Sequence, residues 1–143
     1  LDNCLVDNSS ATVYPIDHGL ILPDTANRLR FDWKHLIQSK HPFSENSLRF
    51  ISNIDVNKDI KTLKQAGITS KQALTRVQLS TLLLKKAAAK GLTAYQIADL
   101  MLSKNQHSNT TFFEDTICKK IIKDGEDADR VLSQVVEDYI RLN

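Results

Sequence analysis

The stretch from Thr69 to about Ala89 constrains the fold most. Ala73, Leu74, Val77, Thr81, Leu84 and Ala88 fall at helical spacing, and Leu79, Leu82 and Leu83 widen that stripe until the helix is apolar most of the way round. Such a helix has no polar side to give to solvent, so it belongs in the centre with other elements packed about it. Thr69-Ser70-Lys71-Gln72 has the spacing of a capping box at its start, and Gly91 ends it.

The flanking segments supply the packing partners. Ser44 can cap a helix to about Ser52, with Leu48 and Ile51 on its apolar side and Phe50 beside them. Asp55 can cap the next, with Val56, Ile60 and Leu63 on one face and Gly67 as its stop. Thr93-Ala94-Tyr95-Gln96 repeats the capping box, with Leu92 and Ile97 placed to close a hydrophobic staple, and that helix runs to about Ser103. Thr111 to Glu114 opens another through Phe113, Ile117, Ile121 and Ile122, stopped by Gly125. Asp127 caps the last, whose Ala128, Val131, Leu132, Val135, Val136, Tyr139 and Ile140 form a strict amphipathic stripe. A short helix over Phe31 to Ile37, with Phe31, Trp33 and Leu36 as core anchors, makes about seven. The sparse aromatic content (6%), with only 4 Gly and 3 Pro, favours helices over a large sheet.

The first residues read differently. Cys4 to Val6 and Thr12 to Ile16 are short apolar stretches separated by the turn formers Asp7-Asn8-Ser9-Ser10, the pattern of a β-hairpin. Asn3 stands just before the first stretch and Asp17 just after the second, so a hairpin brings the two together. An amide oxygen beside a carboxylate is how a phosphoryl-transfer site holds magnesium against nucleotide phosphates. The same spacing also fits an ordinary hairpin with an Asp-led turn. Residues 17–30 have no steady period and are punctuated by Gly19 and Pro23, so they read as a loop.

The 143 residues fit one compact mostly α (α+β) domain: hairpin and loop over 1–30, helical part over 31–143. A formal net charge of +2 gives no footprint for nucleic acid. Two cysteines, Cys4 and Cys118, make neither a disulfide framework nor a zinc site, and a reduced, cytoplasmic setting is the simpler expectation. No apolar run approaches transmembrane length and no signal-peptide pattern opens the chain. Leu1 is not an initiator Met, and the sequence is expected to begin inside something longer or to be processed.

Several stretches together resemble the C-terminal lobe of the phosphatidylinositol 3/4-kinase family, closest to its type II and plant gamma 4-kinases. Pro15-Ile16-Asp17-His18-Gly19-Leu20-Ile21-Leu22-Pro23 is similar to the family's metal-binding Asp-x-Gly motif and the start of its activation loop. Phe31-Asp32-Trp33, Pro42-Phe43-Ser44 and the helix from Asp55 through Asp59-Ile60 to Gly67 resemble its next landmarks. The run from Leu79 to Thr93, ending Lys90-Gly91-Leu92-Thr93, resembles the family's long helix and its Gly-Leu-Thr turn, and the likeness extends over about residues 1–102. In the family's catalytic loop, Asp-x-His-x-x-Asn, Leu1 and Asp2 match the two free positions and Asn3 the metal-binding Asn.

The resemblance implies an ATP-dependent kinase that uses Mg2+, is peripheral at membranes and phosphorylates the inositol head group of a phosphoinositide lipid. It implies Asn3 and Asp17 as magnesium ligands, and Leu5 and Ile16 as the apolar floor under adenine. Arg28 and Arg30 would be candidates to meet the lipid phosphate. His18 fills a variable slot and takes no metal role. The catalytic Asp, the glycine-rich nucleotide loop and the whole N-terminal lobe would precede Leu1, so these 143 residues alone are expected to be inactive. A protein kinase of the same fold, or a kinase-like helical binding module without catalysis, are the competing readings. In the second, Lys58, Lys61, Lys64 and Lys71 would form an acidic-partner or membrane patch, though a solvated helix face explains them better.

Overall fold

The computed structural model of the chain describes residues 4–10, 12–15, 22, 31–103 and 111–143, with the backbone alone at 4–6 and 13–15. Among these the chain is mostly helical. Two short antiparallel strands come first, β1 (Cys4–Asp7) and β2 (Thr12–Pro15), paired Cys4 to Pro15, Leu5 to Tyr14, Val6 to Val13 and Asp7 to Thr12. Two 3-10 turns follow, Asp32–His35 and Ile37–Lys40. Then come α1 (Glu45–Ser52), α2 (Val56–Gln65), α3 (Lys71–Ala89) and α4 (Ala94–Leu102). A π-helix, Phe113–Lys123, and α5 (Ala128–Leu142) complete the order.

Each α-helix starts where a short polar side chain meets free backbone N–H groups. The Ser44 hydroxyl accepts from Ser47 N–H, and the Asp55 carboxylate from Asn57 and Lys58. In α3 the cap is Ser70, accepting from Ala73 N–H, one residue later than Thr69, where the capping-box spacing puts it. Thr93 and Gln96 form the full reciprocal box of α4, and the Asp127 carboxylate accepts from Arg130 N–H to open α5. The staple residues Leu92 and Ile97 are both buried in the core.

Two helices end alike. Beyond α3, Leu92 N–H reaches Ala87 C=O and Gly91 N–H reaches Ala88 C=O; beyond α2, Ile68 pairs with Leu63 and Gly67 with Lys64. This doubled closure needs a left-handed residue, and Gly67 and Gly91 supply it at φ 91° and 85°.

Helix α3 is the axis: α1, α2, α4, α5 and the π-helix all touch it. Leu79, Leu83 and Ala87 of α3 meet Leu100 and Met101 of α4, Phe113, Ile117 and Cys118 of the π-helix, and Leu132 and Val136 of α5 in one apolar core. Polar links fasten the same helices at their edges. Lys86 pairs with Asp129 at 2.6 Å, and the Lys85 ammonium donates to Ile54 C=O at 2.7 Å.

Three expectations are corrected. Trp33 and Leu36 are 37% and 41% exposed, so of the three proposed core anchors only Phe31 packs against the core. Phe50 is 72% exposed: α1 seats on α3 through the buried Ile51, which turns Phe50 outward. The segment opened by Thr111 is a π-helix rather than an α-helix. Its closing bond, Asp124 N–H to Lys119 C=O, spans five residues, and the wider turn carries Phe113, Ile117 and Cys118 inward together.

Candidate functional site

The strand pair sets the frame of the candidate site. Cys4 and Pro15 are register partners at one end of the ladder. Asn3 is bonded to Cys4, and Asp17 follows Pro15 by two residues, so the chain leads to both from neighbouring strand ends. Asn3, Ile16, Asp17, Arg28 and Arg30 themselves lie outside the described residues, and Leu5 is described only as β1 backbone opposite Tyr14.

The other end of the ladder is a turn held by one carboxylate. Asp7 Oδ1 accepts from Ser9 N–H at 2.9 Å and Ser9 Oγ at 2.7 Å, and Oδ2 accepts from Ser10 Oγ at 2.7 Å. This is an Asx-type turn reinforced by two hydroxyls. The Ser9 and Ser10 hydroxyls, with Ser9 N–H, hold the exposed Asp7 carboxyl down at about 2. With both its oxygens engaged, Asp7 serves the turn. Among the described residues no group of three or more His, Cys, Asp or Glu could hold a metal ion. The magnesium reading therefore rests on Asn3 and Asp17. An amide oxygen and a carboxylate are hard donors of the kind magnesium takes, and magnesium completes its shell with waters and substrate phosphates.

Downstream, the fold gathers a polar cluster that sequence reasoning missed. Lys34, in the first 3-10 turn, pairs with Asp99 of α4 at 2.6 Å. The Lys34 ammonium also stands 4.7 Å from the centroid of the Tyr95 ring, and Lys40 stands 5.4 Å from the same ring. Tyr139 of α5 stands near Asp99; burial, then Asp99 and Tyr95, raise its pKa. Five residues from four elements thus converge although the ion pair spans 65 positions.

A second cross-chain pair joins α3 to the π-helix. Arg76 Nε donates to Glu114 Oε2 at 2.8 Å and Nη2 donates to Oε1, a two-pronged grip with the side chains 11% and 18% exposed. Arg76 also borders an apolar cavity of about 350 Å3 whose walls include Phe31, Val77, Leu84, Ile97 and Met101. Cys118, one turn on from Glu114, is buried, and burial first, then the Glu114 charge, push its thiol up to about 12. No local spacing announces these contacts, because each partner is set by tertiary packing.

Comparison with known proteins defines the class. Residues 1–97 match the family model described as phosphatidylinositol 3- and 4-kinase. The chain is 37% identical over 113 residues to phosphatidylinositol 4-kinase gamma 3 of Arabidopsis thaliana, covering 78% of this chain and 19% of that protein. It is 35% identical over 115 residues to phosphatidylinositol 4-kinase gamma 4 of Oryza sativa subsp. japonica, covering 80% and 19%. It is 42% identical over 88 residues to phosphatidylinositol 4-kinase gamma 5 of Arabidopsis thaliana, covering 61% and 14%. The chain belongs to the phosphatidylinositol 3- and 4-kinase family. It spans about a fifth of the length of the first two relatives. No solved structure matches it. Among the described residues no helix is long and apolar enough to cross a membrane.

Proposed function

We propose that this chain is the magnesium-binding, C-terminal-lobe part of an ATP-dependent lipid kinase that phosphorylates the inositol head group of phosphatidylinositol at position 4. The observation that carries the reading is the pairing of Cys4 with Pro15, which sets the chain's approaches to Asn3 and Asp17 side by side. Magnesium held there supplies charge neutralisation at the nucleotide phosphates. The Asn3 amide oxygen and the Asp17 carboxylate are the ligands, and Leu5 and Ile16 form the apolar floor under adenine. An aspartate upstream of Leu1 orients the attacking hydroxyl. Arg28 and Arg30 meet the lipid phosphate, and the protein works as a peripheral enzyme on the cytoplasmic face of a membrane. The match to the family and to gamma 4-kinase relatives supports the kinase class on which these assignments are built.

The test uses a form of the protein that carries the nucleotide-binding lobe ahead of Leu1. It is incubated with labelled ATP, Mg2+ and phosphatidylinositol vesicles, as wild type and as Asp17→Ala. Wild type labels lipid at position 4, and Asp17→Ala loses at least about 10³-fold in rate, the scale on which groups serving phosphoryl transfer act. Equal labelling by the two forms refutes the metal assignment. Labelling of protein with none of lipid refutes the substrate.

A further inference from the structure

We infer that the cleft between α1 and α3 is a docking site for an acidic partner peptide, with Lys85 and Arg49 binding its carboxylate. The cleft, of about 360 Å3, is walled by Leu48, Arg49 and Ile51 of α1 and by Lys85, Ala88 and Ala89 of α3. The sequence opens it. Helix α1 seats on α3 through the buried Ile51, and the two alanines of α3 are too short to fill the space beside it. Its volume lies at the low end of the range for binding pockets.

The charges of the cleft lack their counterparts. Among the described residues four lysines and arginines are half-buried: Lys34, Arg76, Lys85 and Lys86. Three of them meet a carboxylate, Lys34 that of Asp99, Arg76 that of Glu114 and Lys86 that of Asp129. Lys85 is the exception. Its ammonium donates to Ile54 C=O at 2.7 Å, and no carboxylate of the described residues pairs with it. Arg49, on the α1 wall, donates to the Asn46 amide oxygen at 2.6 Å and likewise pairs with no described carboxylate. Of the acids nearest in sequence, Asp55 caps α2, and Glu45 forms no ion pair with Arg49. An ammonium carries three N–H donors and the Ile54 carbonyl takes one, so Lys85 is held in place with donors left for an anion.

The floor decides which anion. Leu48, Ile51, Ala88 and Ala89 offer apolar surface, which gives nothing to a bare phosphate. A membrane surface is too broad to enter between two helices. A peptide that sets an apolar side chain next to an Asp or Glu satisfies both parts of the cleft. The apolar group covers the floor, and the carboxylate takes charge-assisted hydrogen bonds from the two cations.

The test selects a displayed library of random dodecapeptides on the immobilised 143-residue chain, then titrates the enriched peptides by fluorescence anisotropy. Enriched sequences carry Asp or Glu beside Leu, Ile, Val or Phe. Lys85→Met and Arg49→Gln each weaken binding by at least about tenfold, and raising the salt to about 0.5 M weakens it further. Ala89→Phe fills the cleft from an exposed position, leaves both cations in place and abolishes binding. Its circular dichroism and Tm stay at the wild-type values, so the loss is not unfolding, whereas Lys85→Met also gives up the bond to Ile54. No enrichment, enrichment without acidic residues, or binding that survives Lys85→Met and Ala89→Phe overturns the site. Displacement of the peptide by inorganic phosphate, or Lys85-dependent binding of vesicles of anionic lipid in its place, overturns the peptide as occupant. The form bearing the nucleotide-binding lobe binds the same peptides. Peptides that bind only the 143-residue chain overturn the separate partner, because the rest of the protein then fills the cleft.

Discussion

Cutting either partner of the Arg76–Glu114 pair should destabilise the protein, and replacing both with apolar groups should not. The pair joins α3 to the π-helix by two hydrogen bonds, at 11% and 18% exposure. An exposed ion pair contributes about 0–1 kcal/mol, whereas removing one partner of a fully buried pair costs about 3–5 kcal/mol. Residual solvent at this site moves the expectation below the buried limit. Glu114→Leu leaves the guanidinium without its two-pronged acceptor and should cost about 2–3 kcal/mol. Arg76→Met removes both guanidinium donors from the more exposed carboxylate and should cost about 2 kcal/mol. At about 3 °C per kcal/mol for a domain of this size, the Tm falls by about 6–9 °C in Glu114→Leu and by about 6 °C in Arg76→Met. The double variant Arg76→Met/Glu114→Leu should return to within about 1 kcal/mol of wild type, leaving a coupling energy of at least about 2 kcal/mol. Urea unfolding followed by circular dichroism measures all four forms of the cycle. Single losses under about 0.5 kcal/mol, or a double loss equal to their sum, would refute the claim that this pair is sheltered and coupled.

The core, the thiol and the turn give three further expectations. Leu83→Ala, at a site with 0% exposure, should cost about 3–4 kcal/mol in urea unfolding. Phe50→Ala, at 72% exposure, should stay within about 0.5 kcal/mol, and a larger loss there would show that α1 uses this ring for packing. Cys118, raised to about 12, contributes stability that is whole below its unfolded pKa and is lost as pH rises from about 9 to about 12. In a Cys4→Ser background a thiol reagent at pH 8 should label the native protein only as fast as it unfolds, and fast native labelling would contradict the burial. Asp7, lowered to about 2, contributes stability present above its ordinary value near 3.8 and lost as pH falls toward 2. Its carboxyl resonance should titrate near pH 2, and Ser9→Ala combined with Ser10→Ala should move the midpoint up toward 4; an unmoved midpoint would remove the hydroxyls as the cause.

What could be read from the sequence was local. Ser44, Asp55, Thr93 and Asp127 act within three residues of themselves, so residue type and spacing were enough to find four helix starts. The same holds for Gly67 and Gly91, where one residue type is needed at one φ. Thr69 shows the limit: with Ser70 next to it, either hydroxyl could cap, and geometry chose the second. The π-helix was hidden because its apolar residues come in neighbouring pairs, Phe112-Phe113, Ile117-Cys118 and Ile121-Ile122. Such pairs satisfy a helix of ordinary or wider turn equally well. Aromatic burial misled at Trp33 and Phe50 because short elements need few anchors, and Phe31 and Ile51 already supplied them. Lys34–Asp99 and Arg76–Glu114 left no trace, because partners 65 and 38 positions apart meet only after α3, α4 and the π-helix have packed.

The division of labour in the scaffold follows from where each kind of contact falls. Apolar contacts run along α3, α4, the π-helix and α5, and they account for the rigidity of the helical part. The two 3-10 turns, Asp32–His35 and Ile37–Lys40, have fewer of them: Ser39 alone is buried there, and Phe31 and Phe43 pack against the core on either side. Between those rings they are held by ammonium, carboxylate, ring and hydroxyl groups, which exchange protein partners for water at little net cost. In this chain the firm face is built from leucine and alanine on α3, and the polar attachment from Lys34, Lys40, Tyr95 and Asp99. Replacing Lys34 by Met should therefore cost the fold only about 1 kcal/mol in urea unfolding, and a loss of about 3 kcal/mol or more would refute the weak attachment.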